Sequence, residues 1–133
     1  MISTTARSQH PQGEKLQNAR IALFTERLSL TPEEAERFWP VYNQISEQRT
    51  ALRREGMRLQ RAADGDSLTD AQAQDRIKEY LDLKQREFAL EQASTKKLLS
   101  VLSAAQVLQL LRAERDFQRM VVRQLGRRRG GRH

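Results

Sequence analysis

Apolar residues recur at steps of three and four along four stretches of the chain. Nowhere do they show the strict alternation of a half-buried strand, so the sequence predicts an all-α protein. In residues 14–29, Leu16, Ala19 and Leu23 lie beside Ile21, Phe24 and Leu28 as two adjacent rows. In residues 32–63, Phe38, Tyr42, Ile45, Arg49, Leu52, Gly56, Leu59 and Ala63 form a heptad seam, which Arg49 and Gly56 interrupt. Pro40 removes one backbone bond near the start of that helix, and it is expected to kink the helix rather than end it. Asp64-Gly65-Asp66-Ser67 then reads as a loop. In residues 70–101 the apolar members are Ala73, Ile77, Tyr80, Leu81, Phe88, Leu98 and Leu99, around a polar middle from Glu87 to Lys97. In residues 104–125 they are Val107, Leu110, Leu111, Phe117, Val121 and Leu125, and Gly126 is expected to end the helix.

Three helix starts share one local pattern: Leu, then Ser or Thr, two residues, then Glu or Gln. The copies are Leu30-Thr31-Pro32-Glu33-Glu34, Leu68-Thr69-Asp70-Ala71-Gln72 and Leu102-Ser103-Ala104-Ala105-Gln106. The hydroxyl of Thr31, Thr69 or Ser103 is placed to cap the first turn, and Glu34, Gln72 or Gln106 to reach back and close a capping box. Pro32 suits the first helical position, where its missing N–H costs nothing.

The two central helices, each about 32 residues, would be roughly 48 Å long. So long and thin a monomer buries little surface. A homodimer covering the exposed rows of the second and third helices is therefore expected.

The net charge of +7 first suggests a polyanion partner. Residues 14–125 nevertheless carry 19 Lys and Arg against all 17 Asp and Glu, so most of the surplus sits at the ends, on Arg7, Arg127, Arg128, Arg129 and Arg132. Residues 126–133 read as a flexible basic tail and residues 1–13 as a disordered N-terminus. Ala6-Arg7-Ser8 before Gln9 fits the small-residue rule for signal-peptide cleavage, without the apolar segment that should precede it. The expectation is that these residues are the remnant of a signal peptide. No apolar run approaches the length of a membrane span.

The order of short helix, Leu-Thr-x-x-Glu, long helix, loop, long helix, Leu-Ser-x-x-Gln and last helix resembles the LTxxQ family of bacterial periplasmic proteins. Its relatives include Spy- and CpxP-type envelope-stress proteins and periplasmic heavy-metal sensors. Phe38-Trp39-Pro40-Val41-Tyr42-Asn43 is similar to a sensor-like branch found beside envelope sigma factors. Glu34, Ser103 and the extra copy at Leu68–Gln72 depart from the family pattern. The resemblance implies a hook-shaped four-helix monomer, an antiparallel homodimer with a concave face, and a periplasmic location. It implies a non-enzymatic envelope-stress role, in which the protein binds unfolded clients without ATP or reports to a signalling partner. The metal-sensor branch would make it a regulator instead.

Chemistry narrows the choice. The chain has no cysteine, and its two histidines, His10 and His133, lie near its ends, so no metal centre and no cofactor site is expected. Asp64, Asp66 and Asp70 beside Gly65 read as a solvated turn. No nucleophile and base stand at catalytic spacing, and no enzyme activity is expected. The stripe Arg49, Arg53, Arg54, Arg58 and Arg61 lies among Leu52 and Met57. Long aliphatic arms carrying charge, mixed with isolated apolar groups, suit adaptable contact with unfolded clients or a partner protein. The same arginines could track phosphates in a cytoplasmic nucleic-acid-binding protein, although no aromatic residue interleaves with them to stack on bases. Trp39 and Tyr42 are expected in the core rather than in a ligand box.

Overall fold

The computed structural model describes residues 11–64 and 67–130, with the side chains of residues 11, 12 and 128–130 left out. Four helices and no strand occur among them: α1 (Pro11–Leu28), α2 (Pro32–Asp64), α3 (Asp70–Leu99) and α4 (Ala104–Gly130). The all-α expectation holds. The expectations for residues 1–10, for Gly65 and Asp66, and for 131–133, which include the signal-peptide remnant, His10, Arg132 and His133, fall outside the described residues.

Two compact units form. One contains α1, the start of α2 as far as Ala35, and α4; the other contains residues 36–103.

In the first unit α1 packs on α4. Pro11 opens α1, three residues earlier than the pattern predicts, at a position that tolerates its missing N–H. The helix stops in a double-bonded turn. The Leu30 N–H donates to the Thr25 carbonyl (3.3 Å) and the Ser29 N–H to the Glu26 carbonyl (3.2 Å). This turn puts Ser29 at φ 50°, the left-handed conformation usually left to glycine. Phe24 and Leu28 are buried, whereas Leu16, Ala19 and Ile21 are exposed. The two rows expected on α1 reduce to one, because a single packing neighbour covers only a narrow stripe. On α4, Val107, Leu110, Ala113 and Phe117 are buried, whereas Leu111 and Leu125 are exposed. The small Ala113 occupies a buried step that the larger Leu111 was expected to share.

α4 does not end at Gly126. It continues to Gly130, with Gly126 at negative φ inside the helix. Residues 126–130 are therefore a helical extension and not a flexible tail. Arg123 and Arg127, good helix formers on either side of Gly126, offset the roughly 1 kcal/mol that glycine costs.

The second unit is an antiparallel hairpin of α2 and α3. Arg49 pairs with Glu91 and Glu55 with Arg86, and a Cβ at Gly56 would lie 3.2 Å from Leu83 Cδ2. α2 runs unbroken through Pro40. Its seam is as expected: Phe38, Tyr42 and Ile45 are buried, and Arg49, Leu52, Gly56 and Leu59 half-buried, while Ala63 at the end is exposed. Phe38, Tyr42 and the half-buried Trp39 form an aromatic cluster with ring centroids 4.7–5.9 Å apart.

α3 differs most from expectation. It buries Leu83, Ser94 and Leu98, and it leaves Ile77, Tyr80, Leu81, Phe88 and Leu99 exposed. The seam takes the row through Leu83, Glu87, Leu90, Ser94 and Leu98, which mixes polar with apolar residues. The richer apolar row lies on the outer flank. α3 ends at Leu99, where the Ser100 N–H donates to the carbonyls of Leu98 and Lys97.

Candidate functional site

The first two capping motifs behave as their spacing requires. At Thr31 the hydroxyl accepts from the Glu34 N–H (3.1 Å) and Glu34 Oε1 accepts from the Thr31 N–H (3.0 Å). Thr69 and Gln72 repeat the arrangement at 3.1 and 2.9 Å. The third motif does more than start a helix: Gln106 Nε2 donates to the Leu28 carbonyl (3.1 Å) and to Glu34 Oε1 (3.3 Å). The first and third motifs thus meet at the C-terminus of α1, while the second stands at the start of α3. Leu102 is buried, Leu30 and Leu68 are half-buried, and Ser103 is exposed.

The stripe on α2 divides. Arg49 and Leu52 turn into the seam, with Arg49 Nη2 3.2 Å from a Glu91 carboxylate oxygen. Arg53, Arg54, Met57, Arg58 and Arg61 are exposed. None of the four exposed arginines forms an ion pair among the described residues. The seven positions are therefore not one face: two belong to the hairpin's own packing and five face outward.

An open groove runs along one flank of the α2–α3 seam. One section, of about 480 Å³, includes Arg49, Leu52, Arg53 and Phe88 in its lining. The next, of about 560 Å³, includes Arg53, Met57, Tyr80 and Lys84. Beside it on α3 stands the exposed apolar row, in which Phe88 is 64% accessible and Tyr80 54%. Lys84 lies in the middle of this row, its ammonium 5.4 Å from the Tyr80 ring centroid and 3.3 Å from Glu87 Oε1. The sequence pattern gives Ile77, Tyr80, Leu81 and Phe88 as apolar members of this helix without separating an exposed row from the buried one. The competing row through Leu83, Leu90 and Leu98 was the available signal.

The other flank is an ion network. Arg86 donates through Nη1 and Nη2 to the two Glu55 carboxylate oxygens and through Nε to Asp82 Oδ2 (3.0 Å). The hydrogen bond from Arg86 lowers the Glu55 pKa below the usual carboxylate range, against an opposing effect of desolvation. In the first unit the hydrogen bond from Arg27, 2.8 Å from Asp116 Oδ2, lowers Asp116 in the same way. Carboxyls held low are the opposite of a poised general base. Among the described residues no group of three or more His, Cys, Asp or Glu is placed to hold a metal, and no helix is long and apolar enough to cross a membrane.

Comparison with protein-family models, with curated proteins and with solved structures finds no match to this chain.

Proposed function

We propose that this protein is a non-enzymatic, periplasmic envelope-stress protein of the LTxxQ type, which binds unfolded protein segments or a signalling partner. The observation that carries the reading is the unpartnered apolar row Ile77, Tyr80, Leu81 and Phe88 beside a groove whose α2 side carries Arg53 and Met57, with Arg54 and Arg58 exposed on the same helix. Contiguous exposed apolar groups rimmed by charge mark an interaction surface. Apolar contact supplies affinity without demanding one sequence, while the arginines attract acidic segments and speed encounter. The test is suppression of aggregation of an unrelated unfolded protein, without ATP. Wild type should slow aggregation, and Phe88→Ser with Leu81→Ser should weaken that effect. Changing Arg53, Arg54 and Arg58 to Glu should weaken it too, chiefly at low salt. A wild-type protein that is inert in this assay overturns the reading.

The same row favours a second use, as the seam of an antiparallel homodimer between copies of the hairpin. Light scattering distinguishes the two. Dimers that dissociate on Phe88→Ser assign the row to self-association; a monomer at all concentrations leaves it free for clients.

A further inference from the structure

Continuation of α4 through Gly126 places Arg127 in register with three preceding arginines. Arg115, Arg119, Arg123 and Arg127 repeat at every fourth residue, with Arg112 one turn before them. All five are exposed. Each step of four advances about 6 Å, so the row runs roughly 22 Å along one side of the helix. Arg119 lies 3.8 Å from Asp116, whose shorter bond is to Arg27. Arg112, Arg115, Arg123 and Arg127 form no ion pair among the described residues. On the neighbouring flank stand Leu108, Leu111, Val122 and Leu125, all exposed.

We propose that this flank of α4 docks on an anionic membrane surface, with the arginine row against lipid phosphates and the leucine–valine row dipping into the acyl boundary. A basic row beside an apolar row on one helix is the pattern of an interfacial helix, and juxtamembrane cations draw such a helix to anionic lipid. Nucleic acid fits less well, because Val122 and Leu125 would gain nothing from phosphates. The one aromatic ring on α4, Phe117, is buried beneath Arg20 and cannot stack on bases. The proposal uses α4 alone and is independent of the α2–α3 surface assigned above.

The full chain is tested by flotation with vesicles of phosphatidylcholine alone and with about 30% phosphatidylglycerol. Partition should be at least about tenfold higher on the anionic vesicles and should be lost at about 0.5 M salt. Changing Arg115, Arg123 and Arg127 to Glu should reduce it about tenfold or more, and changing them to Gln, which spares helicity, severalfold. Val122→Ser with Leu125→Ser should also reduce it severalfold. Changing Arg53, Arg54 and Arg58 to Glu should leave it unchanged. Equal partition on neutral vesicles, or a folded glutamine variant that binds undiminished, overturns the proposal. So does random duplex DNA bound more tightly than anionic vesicles and indifferent to the Val122 and Leu125 changes.

Discussion

Glu34 and Gln106, each the third helical residue of its own helix and 72 positions apart in the chain, are joined by a 3.3 Å hydrogen bond from the glutamine amide. The same nitrogen satisfies the Leu28 carbonyl at the end of α1. One side chain thus ties a helix end to a helix start. Gln106→Ala should cost about 1–2 kcal/mol in chemical denaturation. Gln106→Glu should cost more, because it removes the donor and sets a second carboxylate beside Glu34. Thr31→Ala, which breaks the box on the other side, should cost about 1 kcal/mol. Unchanged midpoints for all three would show that the junction carries no stability.

Ser29 is held at φ 50° by the turn that stops α1. Glycine adopts this conformation without the penalty that a side chain incurs. Ser29→Gly should therefore raise stability by up to about 1 kcal/mol, less what the more flexible unfolded chain takes back. A thermal melt shifted downward would contradict this account of the turn.

The two helical glycines should respond differently to alanine. A Cβ at Gly126 meets nothing within 4 Å among the described residues, so Gly126→Ala should gain about 1 kcal/mol of helix propensity. At Gly56 the new methyl would press on the buried Leu83 at 3.2 Å, and Gly56→Ala should be neutral or destabilising. Equal melting shifts for the two would refute the close approach of α2 and α3 there.

Ser94 is 2% exposed, and its hydroxyl has no hydrogen-bond partner among the described residues. An unsatisfied buried hydroxyl costs about 1–3 kcal/mol. Ser94→Ala should raise the denaturation midpoint, and a fall would mean that the hydroxyl is satisfied in solution.

Acid should weaken both units. Hydrogen bonds from Arg86 and Arg27 lower the pKa values of Glu55 and Asp116. A depressed carboxyl contributes stability that is complete above its unfolded-state pKa and is lost as pH falls through the folded one. Melting temperature should stay flat from neutral pH to about pH 5 and decline below about pH 4. Glu55→Gln with Asp116→Asn should flatten that decline. Superimposable acid profiles for wild type and double variant would show that solvent screens both pairs completely.

The helices, their caps and the α2 seam were legible because propensity, capping and period agree there, as at Thr31 with Glu34 and along Phe38, Tyr42 and Ile45. α3 was misread because its row richest in apolar groups is not its buried row. Periodicity finds an apolar face but does not say whether a neighbour covers it, and Leu83 outranks Phe88 only once α2 is in place. Gly126 was misread as a stop because a glycine after a periodic run ends a helix only if it turns to positive φ. The meeting of Gln106 with Glu34 had no local signal, since nothing in either motif names its distant partner. The candidate surface on α2 was visible as composition, and its division between seam and solvent was not.

The pairing of α1 with α4 also makes the first helix of the chain wait for the last. Glu55 and Arg86 are 31 residues apart, whereas Gln106 and the Leu28 carbonyl are separated by 78. Closing the longer loop carries roughly 0.8 kcal/mol more chain entropy. The larger delay is vectorial: at about 5–20 residues per second, α1 waits several seconds after its own synthesis before α4 exists. The hairpin of α2 and α3 can close in that interval. α1 meanwhile emerges with Phe24 and Leu28 uncovered until α4 arrives.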